Sequence, residues 1–203
     1  MKMRTISLSL LTICLLAAVP ALADTLLYSS GAYNGTITGY SIKPSNAVSD
    51  QFTVQAGSDI ESLTIVYWDH FPANLLNTVD MAISSTALPG SGFETLTAND
   101  NILLGTNAGG YSLYQADFTF TSIDWSGAGW ITLDNATCSI VGSCNVLWDV
   151  NNTSLIAEDI AHGAIGGETF ALDGNIVPEP SSLLLLGSGL LGLAGMLRRK
   201  LVR

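Results

Sequence analysis

Apolar and polar residues alternate at every second position in short stretches through the middle of this 203-residue chain. Such alternation is typical of half-buried β-strands. It is clearest at 51–55, 116–121 and 130–134. Turn-forming clusters of Gly, Pro, Asn and Ser lie at 89–92, 107–110 and 126–129. Many short strands at this spacing predict an all-β domain over 24–176, built as an antiparallel, jelly-roll-like β-sandwich.

The first 23 residues have the three-part layout of a secretory signal peptide. Lys2 and Arg4 precede a short apolar stretch, and Ala21 and Ala23 supply the small residues of a cleavage site. We therefore expect cleavage after Ala23, with signal peptide 1–23 removed, and export of the chain through the inner membrane. An uncleaved membrane anchor is the alternative, which the shortness of the apolar stretch disfavours.

A second apolar segment lies at 183–197, between two serines and three consecutive basic residues. Together with the serines it would extend about 26 Å as a helix, close to the ~30 Å hydrocarbon core of a bilayer. The pattern therefore predicts a transmembrane helix. Because basic flanks stay on the cytoplasmic side, we expect the middle domain on the outer side of the membrane.

The charges of the chain are distributed very unevenly. All seventeen acidic residues fall between Asp24 and Glu179, where Lys43 is the single Lys or Arg. Such an acidic domain repels phosphate backbones and has no basic patch that could displace their counterions. We therefore exclude nucleic acid as a partner, whereas cations, neutral glycans and a hydrated matrix remain compatible with the charge.

The segment 177–203 resembles the PEP-CTERM sorting signal of Gram-negative bacteria, also called the ice-binding protein C-terminal domain. The residues that carry the resemblance are Pro178, Glu179 and Pro180, the Leu/Gly-rich helix, and Arg198, Arg199 and Lys200. The resemblance implies recognition by an exosortase, a membrane-embedded enzyme that removes the helix near the tripeptide. The chain would be anchored transiently in the membrane and would finish at the cell surface or in an exopolysaccharide-rich extracellular matrix.

Two cysteines remain after removal of the signal peptide, Cys138 and Cys144. In an exported chain, two cysteines six positions apart predict one disulfide bond. A metal site that uses these thiols is disfavoured, because neither His70 nor His162 has ligand spacing to them.

The residues that could carry catalysis form no recognisable motif. The chain has only two histidines, and neither lies near a G-x-S-x-G sequence or a similar nucleophile motif. Glycoside hydrolysis needs two carboxyl groups at a defined separation, which a sequence cannot test. The acids from which such a pair could be drawn are Glu61, Glu94, Glu158, Asp159 and Glu168. We therefore expect a protein that is not an enzyme.

Two kinds of binding site are compatible with the sequence. Oxygen-bearing side chains cluster around Asp100 and again at Asp149 and Asn151, and such ligands suit Ca²⁺. Trp125, beside a glycine-rich cluster, and Trp68 could stack on a sugar ring. No cofactor other than this calcium ion is expected.

Taken together, these patterns predict an exported envelope protein, sorted by an exosortase, that serves as a non-catalytic component of a surface or biofilm matrix. One alternative is a carbohydrate-binding module, with or without calcium. The second alternative is an envelope glycoside hydrolase, for which two carboxylates facing each other across a cleft would be the diagnostic sign.

Overall fold

The computed structural model describes residues 24–71, 74–140, 144–151, 156–176, 186–190, 192 and 198. The predicted signal peptide, with Ala21 and Ala23, lies outside the described residues. The same holds for Pro178, Glu179, Pro180, Arg199 and Lys200 of the sorting motif, and for most of 183–197.

The described part of the middle domain consists of β-strands and the turns between them. The strands are β1 (Thr25–Ser29), β2 (Gly39–Ser41), β3 (Val48–Asp69), β4 (Leu76–Ser84), β5 (Glu94–Thr97), β6 (Asp100–Thr106), β7 (Ser112–Cys138), β8 (Val146–Asp149), β9 (Ala157–Asp159), β10 (Gly163–Ile165) and β11 (Phe170–Ile176). Every strand pairing is antiparallel. The prediction of an antiparallel all-β domain is therefore confirmed.

Two long strands, β3 and β7, form the centre of the sheet and pair along nearly their whole length, from Val48 opposite Leu133 to Trp68 opposite Leu113. The other edge of β3 is covered in turn by β9, β11 and β8. The other edge of β7 is covered by β4 and β6. The outer strands β1, β5, β2 and β10 pair with β11, β4, β8 and β9 respectively.

The cluster Ser126–Gly129, predicted as a turn, lies inside β7, so that prediction is wrong. Phe52 pairs with Gly129, and Val54 pairs with Gly127. Gly127 has a φ of 82°, at a bulge where the register shifts. A Cβ on Gly129 would lie 2.7 Å from Phe52 Cζ. These glycines therefore permit a bulge and a close approach within one strand, which are two further uses of glycine besides turns.

One main hydrophobic core lies against the sheet. It combines residues from both halves of the long strands, for example Phe52 and Ile131 from one half with Leu63 and Phe118 from the other. A second register shift, between Ile60 and Ser62, changes which alternate residues of β3 face this core. The eleven strands are joined by hydrogen bonds into a single sheet, and the jelly-roll sandwich stays a prediction.

The disulfide between Cys138 and Cys144 is present and confirms the predicted pairing. It joins the end of β7 to the segment that leads into β8. Beyond the domain, residues 186–190, 192 and 198 are helical and exposed. Within the described part of the chain, no helix is long and apolar enough to cross a membrane.

Candidate functional site

The side of the sheet opposite the main core carries a small hydrophobic cluster of its own. Val66, Trp68 and Leu113 are buried there. Along β3, Val66 and Trp68 alternate with Ile65 and Tyr67, which belong to the main core. Leu113 lies opposite Trp68 on β7. Since successive side chains of a strand point to opposite faces, this second cluster defines an outer face of the sheet.

The segment 30–38, here called the crossing loop, runs over this outer face. It leaves the end of β1, and the carbonyl of Gly35 accepts a hydrogen bond of 2.8 Å from the backbone N–H of Ala108. Ile37 lies so close to Gly109 that a Cβ on that glycine would come within 2.7 Å of Ile37 Cγ2. The crossing loop is thus fixed at its far side by the turn that precedes β7.

A pocket of about 210 Å³ is lined by the crossing loop and the outer face of the sheet. Ser29, Ala171 and Thr64 are neighbours in register across β1, β11 and β3, and they contribute to its lining. Gln115 of β7 lies opposite Val66 and also lines the pocket. Tyr33 of the crossing loop is 40% exposed and lines it as well.

The polar side chains of the pocket are neutral, and several are held in place. Thr64 Oγ1 donates to Asp117 Oδ1 over 2.8 Å, and Gln115 Nε2 donates to both carboxylate oxygens of Asp117 at 3.0 and 3.2 Å. Ser29 Oγ accepts from the N–H of Gly31. Thr169 Oγ1 is buried without a hydrogen-bond partner among the described residues. Among the described residues that line the pocket, none is charged.

A group of buried acids lies elsewhere in the fold. Asp50, Asp149 and Glu168 are fully buried, and Asp159 is 1% exposed. Asp159 is well supplied with donors, because it accepts from Asn46 Nδ2 and from the backbone and ring of His162. By contrast, the carboxylate oxygens of Asp149 and Glu168 have no hydrogen-bond partner among the described residues.

Burial is the main cause of the unusual electrostatics of this acid group. It raises the pKa of Asp50 to about 7, although the backbone N–H groups of Glu168 and Gln51 lower it in part. It raises the pKa of Asp149 to about 7 as well. The backbone N–H of Asn34 lowers the pKa of Asp149 in part, but burial is the larger cause and the pKa stays raised. For Glu168, burial and then the nearby Asp50 raise the pKa well above its ordinary value.

The structure places the two candidate sugar-stacking tryptophans in the interior or close to it. Trp68 is 3% exposed, and its ring stacks on Tyr111 with centroids 5.2 Å apart. Trp125 is half-buried and packs against Phe52 of the main core. Neither residue lines the pocket. Trp68 is therefore closed to a sugar ring, whereas part of Trp125 is exposed and its contact with a glycan stays a prediction.

The two candidate calcium clusters lie on different strands of the fold. Asp100 is an exposed residue of β6, opposite Asp117. Asp149 and Asn151 lie near Glu168, since Asn151 Nδ2 donates to the Glu168 carbonyl over 2.8 Å. Among the described residues, no three Asp, Glu, His or Cys side chains are grouped so that they could hold a metal ion.

Sequence reasoning missed Tyr33, Thr64 and Gln115 as pocket residues, because nothing in their local sequence marks them. It also missed Asp50 as a buried acid, although a signal was present. The alternation that places Phe52 and Val54 on the inner face, extended two positions back, places Asp50 on the same face.

Comparison with known protein families identifies the C-terminal segment. Residues 177–200 match the family model described as the PEP-CTERM protein-sorting motif. No curated protein matches the chain. Motifs of this family are recognised by exosortases, and they imply export and processing at the membrane.

Proposed function

We propose that this chain, which carries a PEP-CTERM protein-sorting motif at 177–200, is a non-catalytic component of the cell surface or of an extracellular matrix. The motif is the observation that carries the proposal. An exosortase would release the middle domain from the membrane and direct it outwards. Outside the cell, the middle domain would then be associated with exopolysaccharide or another matrix polymer.

Three properties of the middle domain suit such a role. The chain is strongly acidic, with a formal net charge of −10, which favours solubility and hydration. A disulfide bond closes the end of β7, as is usual for proteins that work outside the reducing cytoplasm. We also propose that the sheet folds over its core as a jelly-roll sandwich, because the main core draws on both halves of β3 and β7.

A glycoside hydrolase has less support. Two acids from the candidate set that interact across the fold, Asp159 and Glu168, are buried at 1% and 0% exposure. Among the described residues that line the pocket on the outer face there is no Asp or Glu. A hydrolase needs two carboxyl groups that reach the scissile bond, so neither place offers the required arrangement.

The test of the proposed function compares three forms of the chain in the native host, each detected by antibody on intact cells and in the matrix fraction. They are the wild type, a form with Glu179→Ala and deletion of 183–203, and a control with Glu158→Ala in the middle domain. We expect loss of surface and matrix signal only in the second form. Unchanged surface display of that form would contradict the sorting route. Recovery of all wild-type protein in the membrane fraction would contradict the matrix role.

A further inference from the structure

We propose that the pocket beneath the crossing loop binds a single neutral sugar residue. The polar groups in the pocket are a mixture of donors and acceptors. The O–H group of Ser29 can donate, because Ser29 Oγ already accepts from the N–H of Gly31. Gln115 Oε1 and the lone pairs of Thr64 Oγ1 can accept, because their N–H and O–H groups are used on Asp117.

Such a mixed set matches hydroxyl groups, since each hydroxyl donates one hydrogen bond and accepts others. A carboxylate or phosphate ligand would require a concentration of donors or positive charge, and a cation would require acceptors alone. The described residues that line the pocket are all uncharged and supply both donors and acceptors. The pocket therefore meets neither the requirement for an anion nor the requirement for a cation. The net charge of the chain, −10, repels acidic ligands further.

The apolar part of the pocket suits the other face of a sugar ring. Tyr33, 40% exposed, offers a flat aromatic surface, and Val66 and Leu104 line the pocket beside it. A sugar ring presents C–H groups on its faces and hydroxyls around its edge, so it can use both kinds of surface at once. The volume of about 210 Å³ is below the ~300 Å³ at which pockets begin to hold larger ligands, which limits the occupant to one ring.

The recognition groups are organised before a ligand arrives. Asp117 fixes Thr64 through one hydrogen bond and Gln115 through two, on neighbouring strands. The crossing loop is itself held by the Gly35–Ala108 hydrogen bond. Prior organisation lowers the entropy lost on binding. For a ligand of about twelve non-hydrogen atoms, a dissociation constant in the millimolar range is still expected.

The test measures binding of methyl glucoside, methyl galactoside and methyl mannoside to the full chain, by saturation-transfer NMR and calorimetry. The chain is purified in a detergent without a sugar head group, so that the detergent does not compete. Glucuronate is the acidic counterpart. Dextran, a neutral glucose polymer, tests whether the sugar is accepted within a chain. The choice of a neutral polysaccharide as the natural source rests on the proposed function.

We expect saturable binding of at least one neutral sugar and none of glucuronate. Gln115→Ala and Thr64→Val should each raise the dissociation constant about tenfold, the usual effect of losing one well-placed hydrogen bond. Tyr33→Ala should also weaken binding. The matched control is Phe71→Ala, which removes another exposed aromatic ring, 49% exposed, that does not line the pocket. It should bind as the wild type does.

Absence of saturable binding to all three glycosides and to dextran would overturn the proposal. Equal binding by the wild type and by Tyr33→Ala, Gln115→Ala and Thr64→Val would also overturn it. Unfolding temperatures show whether each variant is folded. If Gln115→Ala and Thr64→Val do not fold, Tyr33→Ala still tests the proposal, because the Tyr33 side chain is partly exposed and its removal should leave the fold intact. A protein that reaches the matrix yet binds no sugar would refute only this pocket, whereas mislocalisation with intact binding would refute only the proposed function.

Discussion

The backbone N–H of Glu168 donates a hydrogen bond of 2.6 Å to Asp50 Oδ2, and both side chains are fully buried. The contact ties the segment before β11 to the first half of β3. The contact also brings two acidic residues together. In the described part of the chain, no Lys or Arg forms an ion pair that could neutralise them. The domain therefore has to reduce the charge of these acids in another way, and protonation is the simplest one available within the fold.

The first prediction concerns the pH dependence of stability. Burial raises the pKa of Asp50 and of Asp149 to about 7, whereas both groups titrate near 3.9 in the unfolded chain. Between these values the folded state binds more protons, so the stability that the two acids contribute is fully present below pH 4 and is lost as the pH rises through 7. Each extra bound proton gives a slope of about 1.4 kcal/mol per pH unit. Urea unfolding at pH 5, 6, 7 and 8, with a chelator present, measures it.

Glu168 lies near both Asp50 and Asp149, and Tyr28 lies near Asp50. Tyr40 and His162 lie near Asp159, the fourth acid of the group. Burial and the nearby Asp50 raise the pKa of Tyr28 to about 12, so that residue does not titrate in this range. A free energy of unfolding that rises from pH 5 to pH 8 would contradict the prediction, because it would mean that the acids are ionised and stabilised in the fold.

The second prediction isolates Glu168. In Glu168→Gln the side chain keeps nearly the same volume and cannot ionise. Since burial and Asp50 disfavour the charged form of Glu168, the variant should be more stable than the wild type at pH 8 and should show a shallower slope above pH 5. The same urea series measures it. Glu158→Gln, a half-exposed neighbour on β9, is the control and should keep the wild-type slope. Equal slopes in all three proteins would show that Glu168 does not take part.

The third prediction concerns Gly174 in β11. A Cβ at this position would lie 2.0 Å from the backbone carbonyl oxygen of Asp59, and a backbone atom in a paired strand cannot move aside. Gly174→Ala should therefore cost about 3 kcal/mol or more of folding free energy. The control is Gly90→Ala, because nothing lies within 4 Å of a Cβ there and the backbone is not in the left-handed region. Thermal unfolding of both variants measures the effect, and similar unfolding temperatures would contradict it.

Local patterns account for much of the fold. Alternation identifies the strands around Phe52 and Ile131, and the turn cluster at 107–110 is a turn in which Asn107 Oδ1 accepts from the N–H groups of Gly109 and Tyr111. The continuity of β3 and β7 is not visible locally, because a glycine serves a bulge and a turn equally well. Whether a strand continues past Gly127 depends on Val54, which lies opposite and more than seventy positions away.

Local sequence patterns could not predict the pocket for the same physical reason, because its residues are far apart in the sequence. Tyr33, Thr64 and Gln115 come from a loop and two strands, and only the register between β3 and β7 and the path of the crossing loop make them neighbours. Tryptophan is a reasonable guess for a sugar contact when no structure is known. Here, however, large rings such as Trp68 fill the hydrophobic clusters on which the crossing loop rests.

The last prediction concerns the disulfide between Cys138 and Cys144. These residues are six positions apart, so reduction opens a loop of about seven residues, and loss of that constraint on the unfolded chain should cost about 2.4 kcal/mol. Cys138 is 8% exposed and belongs to the main core, whereas Cys144 lies at its margin. The variant Cys138→Ala with Cys144→Ser therefore removes the bond while keeping an apolar group inside. Urea unfolding of this variant and of the wild type, each with and without reductant, measures the cost. Reductant should lower the stability of the wild type and leave the variant unchanged, and an equal effect on both would show that the bond does not stabilise the domain.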